Sequence, residues 1–190
     1  MIPPFPRTAR FDGPRLAAVG GVDVADLAGE YGTPLYVMDH AELVARMRTY
    51  RTAFGDGVTV TYGAKALCVV GVLQLVAAEG LGLDVASAGE LRTAERAGFP
   101  MDRVVLHGNN KAVAELAAAV DLGVGRVVAD SLAELQRLSQ LAVRSDREVA
   151  VALRITPGIA AHTHASIATG HDEAKFGFAV TEGLADQAVA

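Results

Sequence analysis

Short runs of β-branched and aliphatic residues alternate with longer, amphipathic, alanine-rich segments from residue 58 onward. Runs of this kind predict strands, and the segments between them predict helices. The predicted strands span residues 58–62, 81–85, 104–106, 126–129 and 149–153. The predicted helices span residues 69–79, 89–97, 112–122 and 132–143.

Strict alternation of strands and helices indicates repeated βα units, a parallel sheet and an α/β fold class. The spacing of about 20 to 25 residues between strands fits either a (β/α)8 barrel or a doubly wound sheet. Nearly every predicted strand ends in an ionisable residue: Lys65, Asp84, His107, Asp130 and Arg154. In a barrel these ends converge on one mouth, where active sites lie. The first strand is also not followed by the glycine-rich turn of dinucleotide-binding proteins, which argues against a doubly wound sheet. We therefore predict a (β/α)8, TIM-type barrel, with about its first five βα units in this sequence.

The amino-terminal part follows neither period. Residues up to about 21 are rich in proline and glycine and predict a loosely held arm. Residues 35–38 predict a short strand, and Asp39 with Glu42 has the spacing of a helix start, for a helix reaching about Phe54. The predicted division is an arm and strand over residues 1–38 and an incomplete barrel domain over residues 39–190.

Two later helices open with the spacing of a capping box, in which each side chain satisfies the other residue's backbone N–H. The pairs are Ser87 with Glu90 and Ser131 with Glu134. Because helix capping accounts for these four side chains, we assign them no chemistry.

Composition excludes several classes of partner. The 190 residues carry a formal net charge of −5 and no run of lysine and arginine, which argues against nucleic acid and anionic membranes. No segment predicts a signal peptide or a transmembrane helix, so we expect a cytoplasmic protein with a small-molecule or protein partner. Cys68 is the one cysteine, which excludes an intrachain disulfide, and we expect it to be a small buried residue.

Lys65 is the candidate nucleophile. It ends an apolar strand between two alanines, at a barrel mouth where its amine could attack an aldehyde. By position alone, a solvated lysine at a strand end is the favoured interpretation, and the wider sequence pattern reverses that preference.

The segment Tyr62-Gly63-Ala64-Lys65-Ala66 resembles the signature around the cofactor lysine in the diaminopimelate, ornithine and arginine decarboxylases, which share their barrel with alanine racemase. Gly63 stands where that family usually has alanine. Further segments are similar to the diaminopimelate decarboxylases in the same order: 82–91, 107–111, 128–131, 154–158 and 162–177, the last with His162-Thr163-His164.

The resemblance implies a pyridoxal 5'-phosphate enzyme of lysine biosynthesis that converts meso-diaminopimelate to L-lysine and carbon dioxide, working as a homodimer. Lys65 would bind the cofactor covalently, Asp84 would lie beside it, and Arg154 would lie near the ring hydroxyl. An ion pair of Arg154 with Asp84 or Asp130 is the alternative. His107 either lines the cofactor pocket or belongs to a polar loop in which Asn110 caps the next helix.

The loop over residues 157–174 carries His162, His164 and His171. We expect it to close over the site, with His162 and His164 acting on substrate, and not to bind zinc. Motifs that this family carries further along are absent, so we expect a fragment or a truncated relative that is inactive in isolation. A related decarboxylase or racemase, or a non-catalytic relative that binds a decarboxylase, are the competing interpretations.

Overall fold

The computed structural model describes residues 5–157, 176–180 and 183–189, which form two compact units divided between Val60 and Thr61. No helix in these ranges is both long and apolar enough to cross a bilayer.

The first unit begins with a three-stranded antiparallel sheet and contains two helices. The strands, in the order β1-β2-β3, are β1 Arg10–Asp12, β2 Arg15–Val19 and β3 Val22–Asp23. The helices are α1 Val24–Tyr31 and α2 His40–Phe54.

The predicted loose arm is therefore wrong from Arg10 onward. Val19 pairs with Val22 across the two-residue turn Gly20-Gly21, and both glycines have positive φ. Two glycines between paired strands are a hairpin signal, and they supply the left-handed backbone that such a turn requires. The strand predicted over residues 35–38 is also wrong, because this segment pairs with no strand in the described part of the chain.

Helix α2 begins where the sequence predicts. The Asp39 carboxylate accepts a hydrogen bond from the Glu42 N–H at 3.0 Å, and the Glu42 side chain forms ion pairs with Arg7 at 3.0 Å and Arg46 at 2.7 Å. The hydroxyl of Thr8 also donates to Asp39 and so joins the start of the chain to the helix cap. These hydrogen bonds hold the pKa of Asp39 below its ordinary value, with the largest contribution from the Thr8 hydroxyl and the next from the Glu42 N–H.

We expect Asp39→Ala to lower the free energy of unfolding by about 1 kcal/mol at neutral pH, because the helix loses its cap. A carboxyl whose pKa is lowered on folding stabilises the protein above its ordinary pKa, and this contribution is lost as the pH falls through the folded value. Asp39→Asn keeps a capping oxygen but does not titrate. Urea unfolding at about pH 7 and about pH 3 should therefore show a smaller acid-induced loss in Asp39→Asn than in the parent. An equal loss in both would contradict this account.

The second unit is built on a five-stranded parallel sheet with the order β4-β5-β6-β7-β8. Its strands are β4 Thr61–Gly63, β5 Gly82–Val85, β6 Val104–Leu106, β7 Arg126–Ala129 and β8 Val151–Leu153. Two further short strands, β9 Ile155–Thr156 and β10 Phe178–Ala179, pair in parallel with each other. The helices are α3 Val70–Ala78, α4 Ala88–Arg96, α5 Val113–Leu122, α6 Leu132–Arg144 and α7 Leu184–Val189.

The strand order confirms the predicted fold class. Each strand pairs with the next along the chain, as in a (β/α)8 barrel, whereas a doubly wound sheet reverses its order at a switch point. Strands β6 and β7 match the predicted bounds, but β4 starts three residues later and β8 two residues later than predicted. Buried residues of the strands and helices, including Leu83, Val127, Leu73 and Leu116, form the core between sheet and helices.

The single cysteine is less buried than expected. Cys68 is half-buried, and burial raises the pKa of its thiol.

Candidate active site

Lys65 lies in a single 3₁₀ turn, Ala64–Ala66, that follows β4 directly. Ala64 is 1% exposed and anchors the turn in the core, while Lys65 itself is exposed. The Tyr62 hydroxyl donates to the Leu67 carbonyl at 3.1 Å and so spans the turn, and burial raises the pKa of this phenol. The sequence thus fixes the backbone on both sides of the lysine and leaves its side chain directed away from the core.

Asp84 and His107 belong to the two strands that follow β4 in the sheet. Asp84 lies on β5 and pairs in register with Gly63, two residues before the lysine. His107 follows β6, where its backbone N–H donates to the Val85 carbonyl at 2.7 Å. The Nδ1 atom of His107 contacts the Asp84 carboxylate, so the two side chains orient one another. Asn110 does not cap the next helix, since the residue at the cap of α5 is Ala112.

Arg154 lies at the break between β8 and β9. Its Nη1 atom donates to the Asp130 carboxylate at 3.4 Å, and its guanidinium carbon lies 4.4 Å from the centre of the Phe176 ring. The Asp130 side chain is 7% exposed and that of Arg154 is 36% exposed. Of the two ion pairs considered for Arg154, the structure contains the one with Asp130.

Gly177, which follows Phe176, lies in the segment 162–177 that resembles the diaminopimelate decarboxylases. Gly177 has a φ of +75°, and a Cβ atom there would lie 2.5 Å from the Arg154 carbonyl oxygen. Only glycine permits β10 to approach the backbone of Arg154 so closely.

The structure thus places Lys65, Asp84, His107 and Arg154 at or just after the carboxyl ends of β4, β5, β6 and β8, with Asp130 at the end of β7, as the sequence predicts. His162 and His164, His171, and the proposed closing loop up to residue 174 lie outside the described residues, apart from Pro157. Their roles stay predictions.

A buried ion pair was missed by the sequence analysis. The Lys111 ammonium contacts the Glu134 carboxylate at 2.6 Å, with the two side chains 3% and 2% exposed. The capping-box spacing predicts that the Glu134 side chain caps Ser131 in return. The Ser131 hydroxyl does accept from the Glu134 N–H at 3.2 Å. The Glu134 carboxylate, however, binds the Lys111 ammonium and the backbone N–H groups of Lys111 and Asp130 and does not cap Ser131.

The same position in the preceding helices carries a glutamate with a related role. Glu90 accepts from the Ala86 N–H at 2.6 Å, so the cap at Ser87 is also not reciprocal. Glu115 accepts from the N–H groups of Ala88 at 3.0 Å and Ala112 at 2.8 Å. These carboxylates hold the backbone of the loops that follow the strands, which is the region carrying the candidate site.

The two described lysines differ in what their amines can do. The chain has three lysines, of which Lys175 lies outside the described residues. Lys111 donates to three acceptors at 2.6 to 2.7 Å, so all three of its N–H groups are taken. Lys65 is exposed and has no hydrogen-bond or ion-pair partner within the described residues. An aldehyde cofactor that needs an accessible amine therefore fits Lys65 and not Lys111.

Comparison with known proteins agrees with this chemistry. The family model "Pyridoxal-dependent decarboxylase, pyridoxal binding domain" matches residues 40–189. Diaminopimelate decarboxylase from Mycobacterium leprae is 46% identical over 185 residues, which are 97% of this chain and 39% of that protein. The enzyme of the same name from Bacillus subtilis is 44% identical over 174 residues, which are 90% of this chain and 40% of that protein.

Solved structures are similar as well. The diaminopimelate decarboxylase from M. jannaschii in co-complex with L-lysine superposes with a TM-score of 0.82 at 29% identity, over 96% of this chain and 44% of that one. The chain therefore spans about two fifths of the length of the curated relatives described above.

Proposed function

Because the chain belongs to the pyridoxal-dependent decarboxylase family, we propose that the complete protein uses pyridoxal 5'-phosphate to convert meso-diaminopimelate to L-lysine and carbon dioxide. Relatives that carry the name diaminopimelate decarboxylase, at 44% to 46% identity, support this choice of substrate. The co-complex of the similar M. jannaschii enzyme with L-lysine, the product of the proposed reaction, supports it further.

The accessible amine of Lys65 is the observation that carries the proposal. It follows the first strand of the parallel sheet, where this architecture places active sites, and the described structure gives it no competing partner. Lys65 would hold the cofactor covalently through its side-chain amine. A protein that only bound another decarboxylase would have no need of such an amine.

The bound cofactor supplies the electron sink that makes loss of the carboxylate possible, and the protein supplies binding and orientation. Asp84, on the strand that pairs with β4, would place a carboxylate near the substrate amine, and His107 would hold that carboxylate in position. Arg154 would offer a permanently charged, planar set of donors to the ring hydroxyl of the cofactor. The Asp130 carboxylate and the Phe176 ring both contact that guanidinium and restrict its orientation.

Several broader features belong to the same proposal. The complete protein would work in the cytoplasm as a homodimer, as an enzyme that supplies a free amino acid for biosynthesis. Residues 1–38 would join a β-domain, residues 39–190 would form part of the cofactor-binding barrel, and His162 and His164 would act on the substrate.

The proposed activity is tested with the complete protein loaded with pyridoxal phosphate. Carbon dioxide release is measured from meso-diaminopimelate, ornithine and arginine. We expect kcat/KM for meso-diaminopimelate to exceed the other values by at least about a hundredfold, because a site built to hydrogen-bond the distal amino acid group is left unsatisfied by its analogues. Preference for ornithine or arginine would indicate a related decarboxylase. Racemisation without carbon dioxide release would indicate a racemase, and failure to bind the cofactor a non-catalytic relative.

A further inference from the structure

Lys111 and Glu134 form a polar centre inside the second unit. The Lys111 ammonium donates to the carbonyls of Gly108 at 2.7 Å and Val128 at 2.6 Å and to the Glu134 Oε1 atom at 2.6 Å. A lysine has three N–H donors, and all three are satisfied here by acceptors from different parts of the fold.

Glu134 extends this centre to two backbone N–H groups. Its Oε1 atom accepts from the Asp130 N–H and its Oε2 atom from the Lys111 N–H, both at 3.3 Å. The pair therefore joins the loop after β6, the end of β7, the loop after β7 and the first turn of α6.

The connected backbone segments carry residues of the candidate active site. Gly108 directly follows His107, which contacts Asp84. Asp130 supplies the carboxylate that binds Arg154. A continuous path of hydrogen bonds thus runs from Glu134 through Asp130 to the guanidinium group.

Stability alone is a poor explanation for this arrangement. Desolvation of two buried charges offsets much of their attraction, so apolar residues of similar volume often serve a core equally well. A charged pair does offer fixed, directional contacts to several loops at once, which apolar side chains do not provide.

We propose that Lys111 and Glu134 are positioning residues that fix the loops after β6 and β7 and, through Asp130, hold Arg154 in the orientation that the cofactor requires. The proposal rests on the function proposed above. It assigns Glu134 a role that is separate from helix capping and assigns Lys111 a role that is separate from catalysis.

The first test is amide hydrogen exchange on the complete protein without cofactor. Glu134→Gln keeps the size of the side chain but removes its charge and one of its acceptor oxygens. We expect the amides of Lys111 and Asp130 to lose protection locally. Leu138→Ala, a core truncation on the same helix at a residue 2% exposed, is the matched control and should loosen the helix without selecting these two amides.

The second test is the dissociation constant for pyridoxal phosphate, followed by absorbance. We expect Glu134→Gln to raise it by about threefold to tenfold, in the range of couplings transmitted through packed networks. In an Arg154→Lys background the same change should have less than about a twofold effect, since residues acting on one path are not additive. Leu138→Ala should leave the dissociation constant unchanged while lowering Tm.

The proposal is overturned if Glu134→Gln lowers Tm as Leu138→Ala does but leaves the cofactor dissociation constant unchanged, or if its effect is equally large in the Arg154→Lys background. Should Glu134→Gln fail to fold, Lys111→Arg replaces it, because a guanidinium keeps the charge but cannot reproduce the ammonium contacts. If the unmodified protein binds no cofactor through Lys65, it is the proposed function that has failed.

Discussion

Replacing Lys65 by alanine should lower kcat of the complete, cofactor-loaded protein by at least about a thousandfold, because the residue that holds the cofactor covalently is lost. The same change should alter the free energy of unfolding by less than about 0.5 kcal/mol, as is usual for an exposed side chain. Lys65 has no polar partner within the described structure, so its removal leaves no buried group unsatisfied. Steady-state turnover and urea unfolding measure the two effects.

Lys65→Arg is the matched control for charge. It keeps a cation at the turn but offers no nucleophilic amine, because the guanidinium stays protonated. We expect it to be as inactive as Lys65→Ala. Turnover near the parent rate in either folded variant would contradict the assignment of Lys65.

Replacing Lys111 by methionine should destabilise the protein by about 3 to 5 kcal/mol, because Glu134 is left as an unpaired buried charge. The carbonyls of Gly108 and Val128 lose their donor at the same time. Lys65→Met is the matched control, since it makes the same chemical change at an exposed site. Thermal or urea unfolding of the two variants gives the comparison directly.

The double change of Lys111 and Glu134 to methionine should recover part of this loss, because no unpaired charge remains in the core. A single Lys111→Met variant as stable as Lys65→Met would show that the buried ion pair does not form. Loss of stability equal to the sum of the two single changes would show that the residues do not interact.

The sequence predicted those parts of the fold that local chemistry determines. Helix α2 begins at its predicted cap because Asp39 satisfies a backbone N–H three residues later. Strands β6 and β7 match their predicted bounds because each is a short β-branched run between clear helix signals. The ionisable residues that follow the predicted strands were therefore expected to lie together at the carboxyl edge of the sheet.

The antiparallel strands of the first unit were not predicted, for a physical reason. Strands β1, β2 and β3 have three, five and two residues, too few for a period to emerge. Their pairing depends on contacts between strands and on the Gly20-Gly21 turn. The proline and glycine content of this segment is also typical of an unstructured arm. Residues 35–38 were predicted as a strand but are not one, because an apolar run alone does not supply a neighbouring strand to pair with.

The part of the candidate site that was missed depends on tertiary contacts. Lys111 and Glu134 are separated by 23 residues, and each has an ordinary local explanation, in a polar loop and at a helix start. The contact between Asp84 and His107 also spans 23 residues. Sequence alone indicated that such residues share one end of a sheet but not which of them pair.

The covalent attachment of the cofactor to Lys65 is the central claim, and reductive labelling tests it most directly. Borohydride converts the bond between a lysine amine and the cofactor aldehyde to a stable amine, and digestion of the complete protein followed by mass spectrometry locates the label. We predict a single labelled peptide containing Lys65, with Lys111 unmodified because its three N–H groups are occupied in the core. Label on Lys111, on Lys175 or on no lysine of this chain would contradict the account.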